Sequence, residues 1–334
     1  MPSAARQYLA ELIAQFPDAP ARTLARIAYR DRGELWPNPT ACLSGVRYLL
    51  GVKGKHHRQT LADRRFMRPP RGSSWSDVIP EALTQLPDWH AENIAGKHGC
   101  LILSDIHIPF HDPAALEAAL EFGLKRKPTL VIINGDGVDH YAQSEYVKDP
   151  KLRDFAGEVL ATKRFLAGLR KQFGKRCRII YKHGNHEERF ERYLRHKAPE
   201  LLGVPDFDWA SIFGLADAKI ELVMHKRPLR LGKLNVIHGH EYNFAISNPV
   251  NAARGFFLRA KTHVMGGHFH QSSNHSEKSL DGHVVSTWST GCLCELHPEY
   301  RPLNNWNHGF AWVDVDAKGV FHVENLRIID GKVY

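Results

Sequence analysis

The stretch that decides the fold covers residues 100–107 and reads CLILSDIH. An apolar run of this length predicts a buried β-strand, and Asp105 and His107 follow at the point where that strand ends. The same arrangement recurs at 130–133, followed by NGDGVDH, and at 178–181, followed by KHGNHE. Helical segments are predicted after these strands, at residues 113–126, 152–173 and 187–195. This order predicts a βαβαβ unit with parallel strands, and therefore an α/β fold.

The second half of the chain consists mostly of predicted strands. Apolar runs lie at residues 234–237, 263–265, 284–288, 310–315 and 320–329, with one helical segment at 251–260. Because few helices separate these runs, we expect a second sheet that is more antiparallel than the first. All the apolar runs are strand-sized and fall short of the roughly 20 residues that a membrane helix needs, so no membrane contact is expected.

Polar residues gather at the ends of five predicted strands. These clusters are Asp105 and His107; Asp136, Asp139 and His140; His183 to Glu187; His238 and His240; and His268 and His270. The carboxyl ends of strands in an α/β sheet open on one crevice, so we expect these side chains to meet. They offer Asp, Asn and His ligands without a thiolate, which suits two divalent metal ions. One such cluster alone is typical of a turn or a helix cap, but five in order favour a metal site.

The ordered clusters resemble the motifs of the calcineurin-like metallophosphoesterase superfamily. The matching residues are Asp105 and His107, Gly135-Asp136 with Asp139, Gly184-Asn185-His186-Glu187, His238-Gly239, and Gly267-His268-Phe269-His270. The resemblance covers roughly Gly99 to Val333, and three shorter stretches are similar to phage- and prophage-encoded members. They are Gly135 to Tyr146, Gly184 to Leu194 and Asn305 to Phe310. The resemblance implies a four-layer αββα sandwich that hydrolyses phosphate esters with two metal ions.

The resemblance also implies a role for each matching residue. Asp105, His107 and His270 would hold the first metal ion, Asn185, His238 and His268 the second, and Asp136 both. His186 would be the proton donor and Asp139 the carboxylate that orients it. His240 lies two residues from the expected ligand, so either histidine could bind; His238 is favoured because it lies where the strand ends. Mn²⁺ is the expected ion, with Fe²⁺, Zn²⁺, Ni²⁺ or Mg²⁺ as alternatives.

One position departs from the phosphoprotein phosphatases of this superfamily. They carry a phosphate-binding arginine where this chain has His140. Arg189 and Arg192, in the helix predicted after His186, are candidate substitutes, with His140 and His240 as further candidates for substrate contact. Exposed helix arginines are otherwise most often simply solvated.

The positive charge is concentrated near the N-terminus. Of the net charge of +9, residues 1–75 contribute +8, from 13 Lys and Arg against 5 Asp and Glu. Helices are predicted at 4–16, 21–29 and 40–50, the third capped by Asn38 or Thr40. We therefore expect a basic, helix-turn-helix-like module over 1–62, a linker over 63–75 and the metallophosphoesterase domain over 76–334. The alternative is a small helical cap whose charged face is solvated.

These features predict a dinuclear-metal-dependent phosphodiesterase or nuclease that acts on nucleic acid, with DNA favoured. Its expected nucleic-acid contacts are Arg47, Lys53, Lys55 and Arg58. The alternatives are a phosphomonoesterase for proteins or small molecules whose helical module serves assembly, and a DNA-binding regulator with a vestigial metal site. Five thinly spread cysteines and the absence of an apolar secretory signal indicate a reducing compartment, so we expect a cytoplasmic protein.

Overall fold

Residues 1–52, 79–80, 89–242 and 250–334 are described in the computed structural model of this chain. The chain divides into two units, Met1–Gln85 and Leu86–Tyr334. The predicted linker, the domain bounds near 62 and 76, and the predicted nucleic-acid contacts Lys53, Lys55 and Arg58 lie outside the described residues. Among the described residues, no helix is long and apolar enough to cross a membrane.

The first unit contains the three helices that the sequence predicts. They are α1 (Ser3–Gln15), α2 (Ala21–Arg32) and α3 (Pro39–Leu49). Asn38, rather than Thr40, caps α3: its side chain accepts a hydrogen bond from the amide of Ala41 over 2.8 Å. Leu9, Leu24 and Val46 meet in the core between the helices. Because the apolar residues of each helix face this core, the arginines of α2 are left on its outer side.

The second unit contains thirteen described strands and five described helices. The strands are β1 (Glu92–Ile94), β2 (His98–Leu103), β3 (Leu130–Asn134), β4 (Arg178–Lys182), β5 (Glu221–Val223), β6 (Leu229–Leu231), β7 (Leu234–Val236), β8 (Val264–Gly266), β9 (Ser273–Lys278), β10 (Val284–Ser289), β11 (Gly309–Val315), β12 (Phe321–Ile329) and β13 (Lys332–Val333). The helices are α4 (Pro113–Arg126), α5 (Phe155–Phe173), α6 (Glu187–Lys197), α7 (Trp209–Phe213) and α8 (Ala252–Ala260). The expected βαβαβ unit is present as β2, α4, β3, α5 and β4, with parallel strands.

The strands form two sheets. The seven-stranded sheet has the order β13-β12-β11-β2-β3-β4-β5, and the six-stranded sheet has the order β1-β6-β7-β8-β10-β9. In β2, Leu101 and Leu103 face the helices α4 to α7, whereas Cys100 and Ile102 face the other sheet. Helix α8 covers the outer face of the second sheet through Phe256. These layers form the expected αββα sandwich, because side chains alternate between the two faces of each central strand.

The second half of the chain does supply most of a second sheet, β6 to β10, but the expectation that this sheet is more antiparallel than the first was wrong. Strands β11, β12 and β13 join the first sheet, where β11 pairs antiparallel with β2. The six-stranded sheet is mixed, with three parallel and two antiparallel pairings. Strand β11 is buried on both faces, since Trp312 contributes to the helix-side core and Val313 to the core between the sheets. A strand that is apolar on both faces must lie between two covering layers. The spacing of strands along the chain does not reveal which sheet such a strand joins.

Candidate metal centre and active site

The expected ligands do meet at the carboxyl ends of the central strands. Asp105 and His107 follow β2, Asp136 follows β3, and Asn185 and His186 follow β4. From the other sheet, His238 follows β7, and His268 and His270 follow β8. Three carboxylates of the site, on Asp105, Asp136 and Asp139, are at most 5% exposed. The two sheets therefore bring residues up to 165 positions apart into one buried polar cluster.

One half of the cluster gathers around Asp105. Its Oδ1 lies 3.2 Å from Nε2 of His270. Nε2 of His270 in turn lies 3.3 Å from Nε2 of His107, which is 3.8 Å from Oδ2 of Asp136. Asp105, His107 and Asp136 offer ligand atoms that lie within 4.8 Å of one another. This half corresponds to the predicted first metal site.

The other half gathers around His238. Its Nε2 lies 3.2 Å from Oδ2 of Asp136 and 3.2 Å from Oδ1 of Asn185. Asp136, His238 and His268 again offer ligand atoms within 4.8 Å of one another. Asp136 therefore belongs to both halves, as expected of a bridging carboxylate. His240 instead directs Nε2 to Glu188 over 3.1 Å, so the geometry favours His238 over His240 as the ligand.

Backbone geometry marks the cluster as specialised. The residues Asp105, His107, Asp136, His268 and His270 all have positive φ, between 51° and 68°. Left-handed backbone is costly for residues with a Cβ, and such strain concentrates at functional sites. Gly184 packs directly against the cluster, where a side chain has no room, because a Cβ at this position would collide with the carboxylate of Asp136.

Two buried carboxylates that were given no role in the sequence analysis hold the loops of the cluster in position. Glu187 accepts hydrogen bonds from the hydroxyl of Tyr181 and from four amides, those of Asp136, Gly137, Val138 and Gly184. Glu241 accepts from the amides of His238 and Gly239 and forms an ion pair with Lys182 over 2.6 Å. The sequence signal that could have indicated the second arrangement is Lys182, a lysine at the end of the apolar strand β4 that the fold buries.

The predicted proton donor and its partners form a compact group beside the cluster. Nδ1 of His186 lies 2.8 Å from the carbonyl oxygen of Asp139 and 3.2 Å from its Oδ1. The same Oδ1 is 3.0 Å from Nδ1 of His107, so Asp139 orients both rings. Arg189 donates to Nε2 of His186 over 2.8 Å and to the carbonyl oxygen of Asp139 over 3.0 Å. Its side chain is only 13% exposed, so Arg189 is part of the site and not a solvated arginine.

Two of the predicted substrate contacts do not face the site. His140 is fully buried, and its Nε2 accepts a hydrogen bond from the indole of Trp209 over 2.9 Å. Phe155, Phe190 and Phe213 surround its ring, and burial lowers its pKa to about 3. Arg192, one helix turn from Arg189, is 46% exposed and lies 3.9 Å from Glu145 at the surface. The expectation that His140 contacts substrate is therefore wrong, and Arg192 lies outside the cluster.

The electrostatics of the cluster fit divalent cations. Burial disfavours the charged rings of His238 and His270, but Asp136 and Asp105 outweigh it and raise the pKa of each to about 10. The protonated rings thus balance the negative charge of the buried carboxylates. Bound metal cations can balance the same charge. Burial, together with His238, lowers the pKa of His268 to about 3, and its Nδ1 is buried without a hydrogen-bond partner among the described residues. An unpaired imidazole nitrogen beside carboxylates is suited to metal binding.

Cys294 is a further residue of the cluster that the sequence analysis missed. Its Sγ lies 3.7 Å from Nδ1 of His270, and it shares a candidate ligand group with His107 and His270. The expected set of metal ligands contained no thiol, and Cys294 places one sulfur atom beside that set. All five cysteines are buried and free.

Comparisons with known proteins find a family and relatives that match the region holding this cluster. The family model described as "Calcineurin-like phosphoesterase" matches residues 100–300. The "Gene 54 protein" of Mycobacterium phage L5 is 26% identical over 245 residues, which cover 70% of this chain and 94% of the relative. That of Mycobacterium phage D29 is 27% identical over 245 residues, with the same coverage.

Two solved structures are also similar to this chain. Vps29 of Entamoeba histolytica, complexed with zinc, has a TM-score of 0.36 and 10% identity over 71% of this chain and 96% of its own. YfcE, a phosphoesterase from E. coli, has a TM-score of 0.32 and 16% identity over 68% of this chain and 98% of its own.

Proposed function

The chain belongs to the calcineurin-like phosphoesterase family of metal-dependent phosphoester hydrolases, and from this premise we propose that its substrate is a phosphodiester of nucleic acid, with DNA favoured. The family match includes every residue of the metal cluster, from Asp105 to His270. The reaction class is therefore that of the family, and the choice of substrate is the proposal.

Seven side chains would hold the two cations. These are Asp105, His107 and His270 for one, Asn185, His238 and His268 for the other, and Asp136 for both. When bound, the cations supply an activated nucleophile and offset charge on the phosphoryl oxygens. We propose Mn²⁺ first, because carboxylate and amide oxygens suit it, while the imidazole ligands also suit Fe²⁺, Zn²⁺ and Ni²⁺.

The remaining side chains would act on the ester itself. His186 would protonate the departing alkoxide, which is otherwise a poor leaving group. Asp139 orients the His186 ring through its carbonyl and carboxylate oxygens. Arg189, half-buried beside this ring, would contact a phosphoryl oxygen and do so in place of the arginine whose position His140 occupies.

The distribution of charge along the chain is the observation that most favours nucleic acid as the substrate. Residues 1–75 hold +8 of the net +9, and neutralising backbone phosphates dominates nucleic-acid affinity. Three exposed arginines, Arg22, Arg26 and Arg30, follow one another at intervals of four residues on the outer side of α2. Residues four apart share one side of a helix, so these arginines form a basic stripe. Arg47 is half-buried on α3.

A groove beside the metal cluster supports the same choice. It has a volume of about 560 Å³, and His186, His268 and the cationic residues Lys148, Arg189 and Arg301 line it. A monoester ends at one phosphate, whereas a nucleic-acid strand continues with further phosphates on both sides. Cations beyond the cluster favour a substrate of the second kind.

The test compares a diester with a monoester on the full-length protein with Mn²⁺ added. We expect faster hydrolysis of bis-p-nitrophenyl phosphate than of p-nitrophenyl phosphate, followed by cleavage of linear or circular DNA. Asp136→Asn protein, purified in parallel, is the control for contaminating nuclease. Preference for the monoester, with DNA left intact, would favour the phosphomonoesterase alternative instead.

A further inference from the structure

A second cavity opens beside the first metal site, and its walls are aromatic. It has a volume of about 500 Å³, within the range of about 300 to 1,000 Å³ that small-molecule sites occupy. His107, Asp139 and Cys294 line the end at the metal cluster. Its aromatic lining residues are Phe110, Tyr141, Tyr300 and Trp306. The indole of Trp306 lies 4.1 Å from the ring of His270, centroid to centroid, so the aromatic wall begins at a metal ligand.

Lys148 lines both this aromatic cavity and the basic groove described above. Its Nζ lies 4.5 Å from the centroid of the Tyr141 ring and 4.4 Å from that of the Tyr300 ring. An ammonium held between two ring faces is fixed in position by cation–π attraction. Lys148, Tyr300 and Trp306 line both spaces, so a ligand at the metal cluster extends into the cavity on one side and into the groove on the other.

The two spaces carry opposite charge. Four carboxylates line the aromatic cavity, those of Asp139, Asp149, Glu295 and Glu299, against the single ammonium of Lys148. Such a lining repels a second phosphate and accepts hydrogen bonds from neutral donors. The groove has Arg189, Arg301 and Lys148 as its charged residues and attracts phosphate. A ligand that fits both is a planar, donor-bearing ring attached to a chain of phosphates.

We propose that the aromatic cavity binds one unpaired nucleobase of the substrate, next to the phosphodiester at the metal cluster, while the basic groove holds the adjoining backbone. This inference rests on the nucleic-acid function proposed above and specifies its substrate as a single strand or an unpaired nucleotide. Tyr300, 59% exposed at the rim, and Trp306 supply the faces on which the base stacks. A base inside a duplex has both faces covered and must leave the stack to enter.

The experiment compares two octamers of equal charge on the full-length protein with Mn²⁺ added. One is octadeoxyadenylate, and the other has the same backbone with every base replaced by an abasic unit. Because both carry the same phosphates, the ratio of their kcat/KM values isolates the base. We expect a ratio of about 10 or more in the wild type, and a slower reaction when octadeoxyadenylate is paired with its complement.

Variants of the cavity should reduce that ratio. Tyr300→Ala and Trp306→Ala should each reduce it by about 5-fold or more, toward equal rates for both octamers and no further, as expected when a stacking aromatic is lost. The ratio compares two substrates on one enzyme, so partial loss of metal or folding cancels. Tyr334→Ala, an exposed tyrosine outside the cavity, is the matched control and should keep the wild-type ratio. Direct binding by anisotropy of phosphorothioate octamers should show the same ordering of affinities.

The outcomes separate this inference from the function on which it rests. Hydrolysis of both octamers at equal rates by the wild type, or equal rates on single strand and duplex, would overturn the base site and leave the phosphodiesterase function standing. Failure to hydrolyse any octamer, together with activity on a phosphotyrosine peptide or p-nitrophenyl phosphate, would overturn both.

Discussion

The guanidinium of Arg189 donates a hydrogen bond to Nε2 of His186, with 2.8 Å between the two nitrogens. Arginine has no acceptor, so Nε2 of His186 must be the acceptor, and the ring hydrogen lies on Nδ1, which donates to the carbonyl oxygen of Asp139. Arg189 therefore holds the neutral ring of His186. To act as the proposed proton donor, Nε2 of His186 must first gain a proton and give up its hydrogen bond from Arg189, because Arg189 can only donate. Substituting each residue in turn separates their contributions.

His186→Asn should slow esters with poor leaving groups by about 10²- to 10⁴-fold, the usual contribution of a general acid. Aryl esters with good leaving groups need no proton and should be affected much less. Metal analysis should show wild-type occupancy, because His186 is not among the seven expected ligands. Rate constants over a series of leaving-group pKa values give the result, and an equal loss for all esters would contradict the role.

Arg189→Gln, unlike His186→Asn, should slow esters with good leaving groups by about 10²-fold or more, because a donor to the phosphoryl oxygens stabilises charge whatever the leaving group. Esters with poor leaving groups should slow at least as much, since Arg189 also holds the His186 ring. Arg192→Gln is the matched control, since Arg192 lies one turn further along α6 at the surface. Steady-state kinetics on one aryl and one alkyl diester check both variants. Equal activity of the two variants would show that Arg189 does not contact substrate.

Asp136→Asn should lower metal occupancy and turnover together. Its carboxylate belongs to both halves of the cluster, and a neutral amide cannot balance two dications. Inductively coupled plasma analysis of the dialysed protein, beside an activity assay, measures both quantities. Full occupancy with wild-type turnover in this variant would exclude a bridged dinuclear site.

Glu158 predicts a pH dependence of stability. It is 2% exposed, and burial raises its pKa to about 8. Between its ordinary value near 4.5 and about 8, the unfolded chain has lost this proton while the folded chain keeps it. Stability should therefore fall as pH rises through this window, by at most about 1.4 kcal/mol per pH unit.

Glu158→Gln retains an acceptor for the amide of Tyr141 and cannot ionise, so it should remove this slope. Midpoints of urea unfolding at pH 5.5, 6.5 and 7.5 measure this pH dependence of stability. Glu117→Gln, at an exposed glutamate, is the control. A variant as pH-dependent as the wild type would show that Glu158 ionises freely in the folded protein.

The basic first unit should make DNA binding sensitive to salt. Replacing Lys53, Lys55 and Arg58 together by Gln should weaken binding and reduce the slope of log K against log salt by about 0.9 for each lost phosphate contact. Hydrolysis of a small diester should remain near wild type. Replacing the exposed Lys125, Lys171 and Lys318 is the charge-matched control. Salt-insensitive DNA affinity of the full-length protein at about 50 mM salt would refute the nucleic-acid proposal.

Much of the catalytic unit was predictable from local sequence. The apolar runs of β2, β3 and β4 and the positions of α4, α5 and α6 were predicted to within a few residues. Five clusters of polar residues at strand ends indicated the site, and the resemblance built on them is confirmed by the family match and the phage relatives. Local pattern sufficed because a strand buried on both faces must be apolar, so polar residues at its end stand out.

Which of two nearby residues faces the metal cluster was decided by tertiary structure alone. His238 and His240 are two positions apart, and only the packing of the sheets turns one toward Asp136 and the other toward Glu188. Arg189 and Arg192 share a helix, yet the side chain of Arg189 is 13% exposed beside His186 and that of Arg192 is 46% exposed at the surface. His140 lies in an aromatic core supplied by three later segments of the chain.

The chain by itself determined which residues end its strands and where its charge lies, since both follow from short-range periodicity and composition. Tertiary structure decided that β11 lies beside β2, although more than 200 residues separate them, because strand pairing depends on which faces two sheets can bury together. It also formed the aromatic cavity, whose walls come from residues 107–152 and 294–306. These stretches carry no shared pattern, since side chains that meet only after folding leave no periodic trace along the chain.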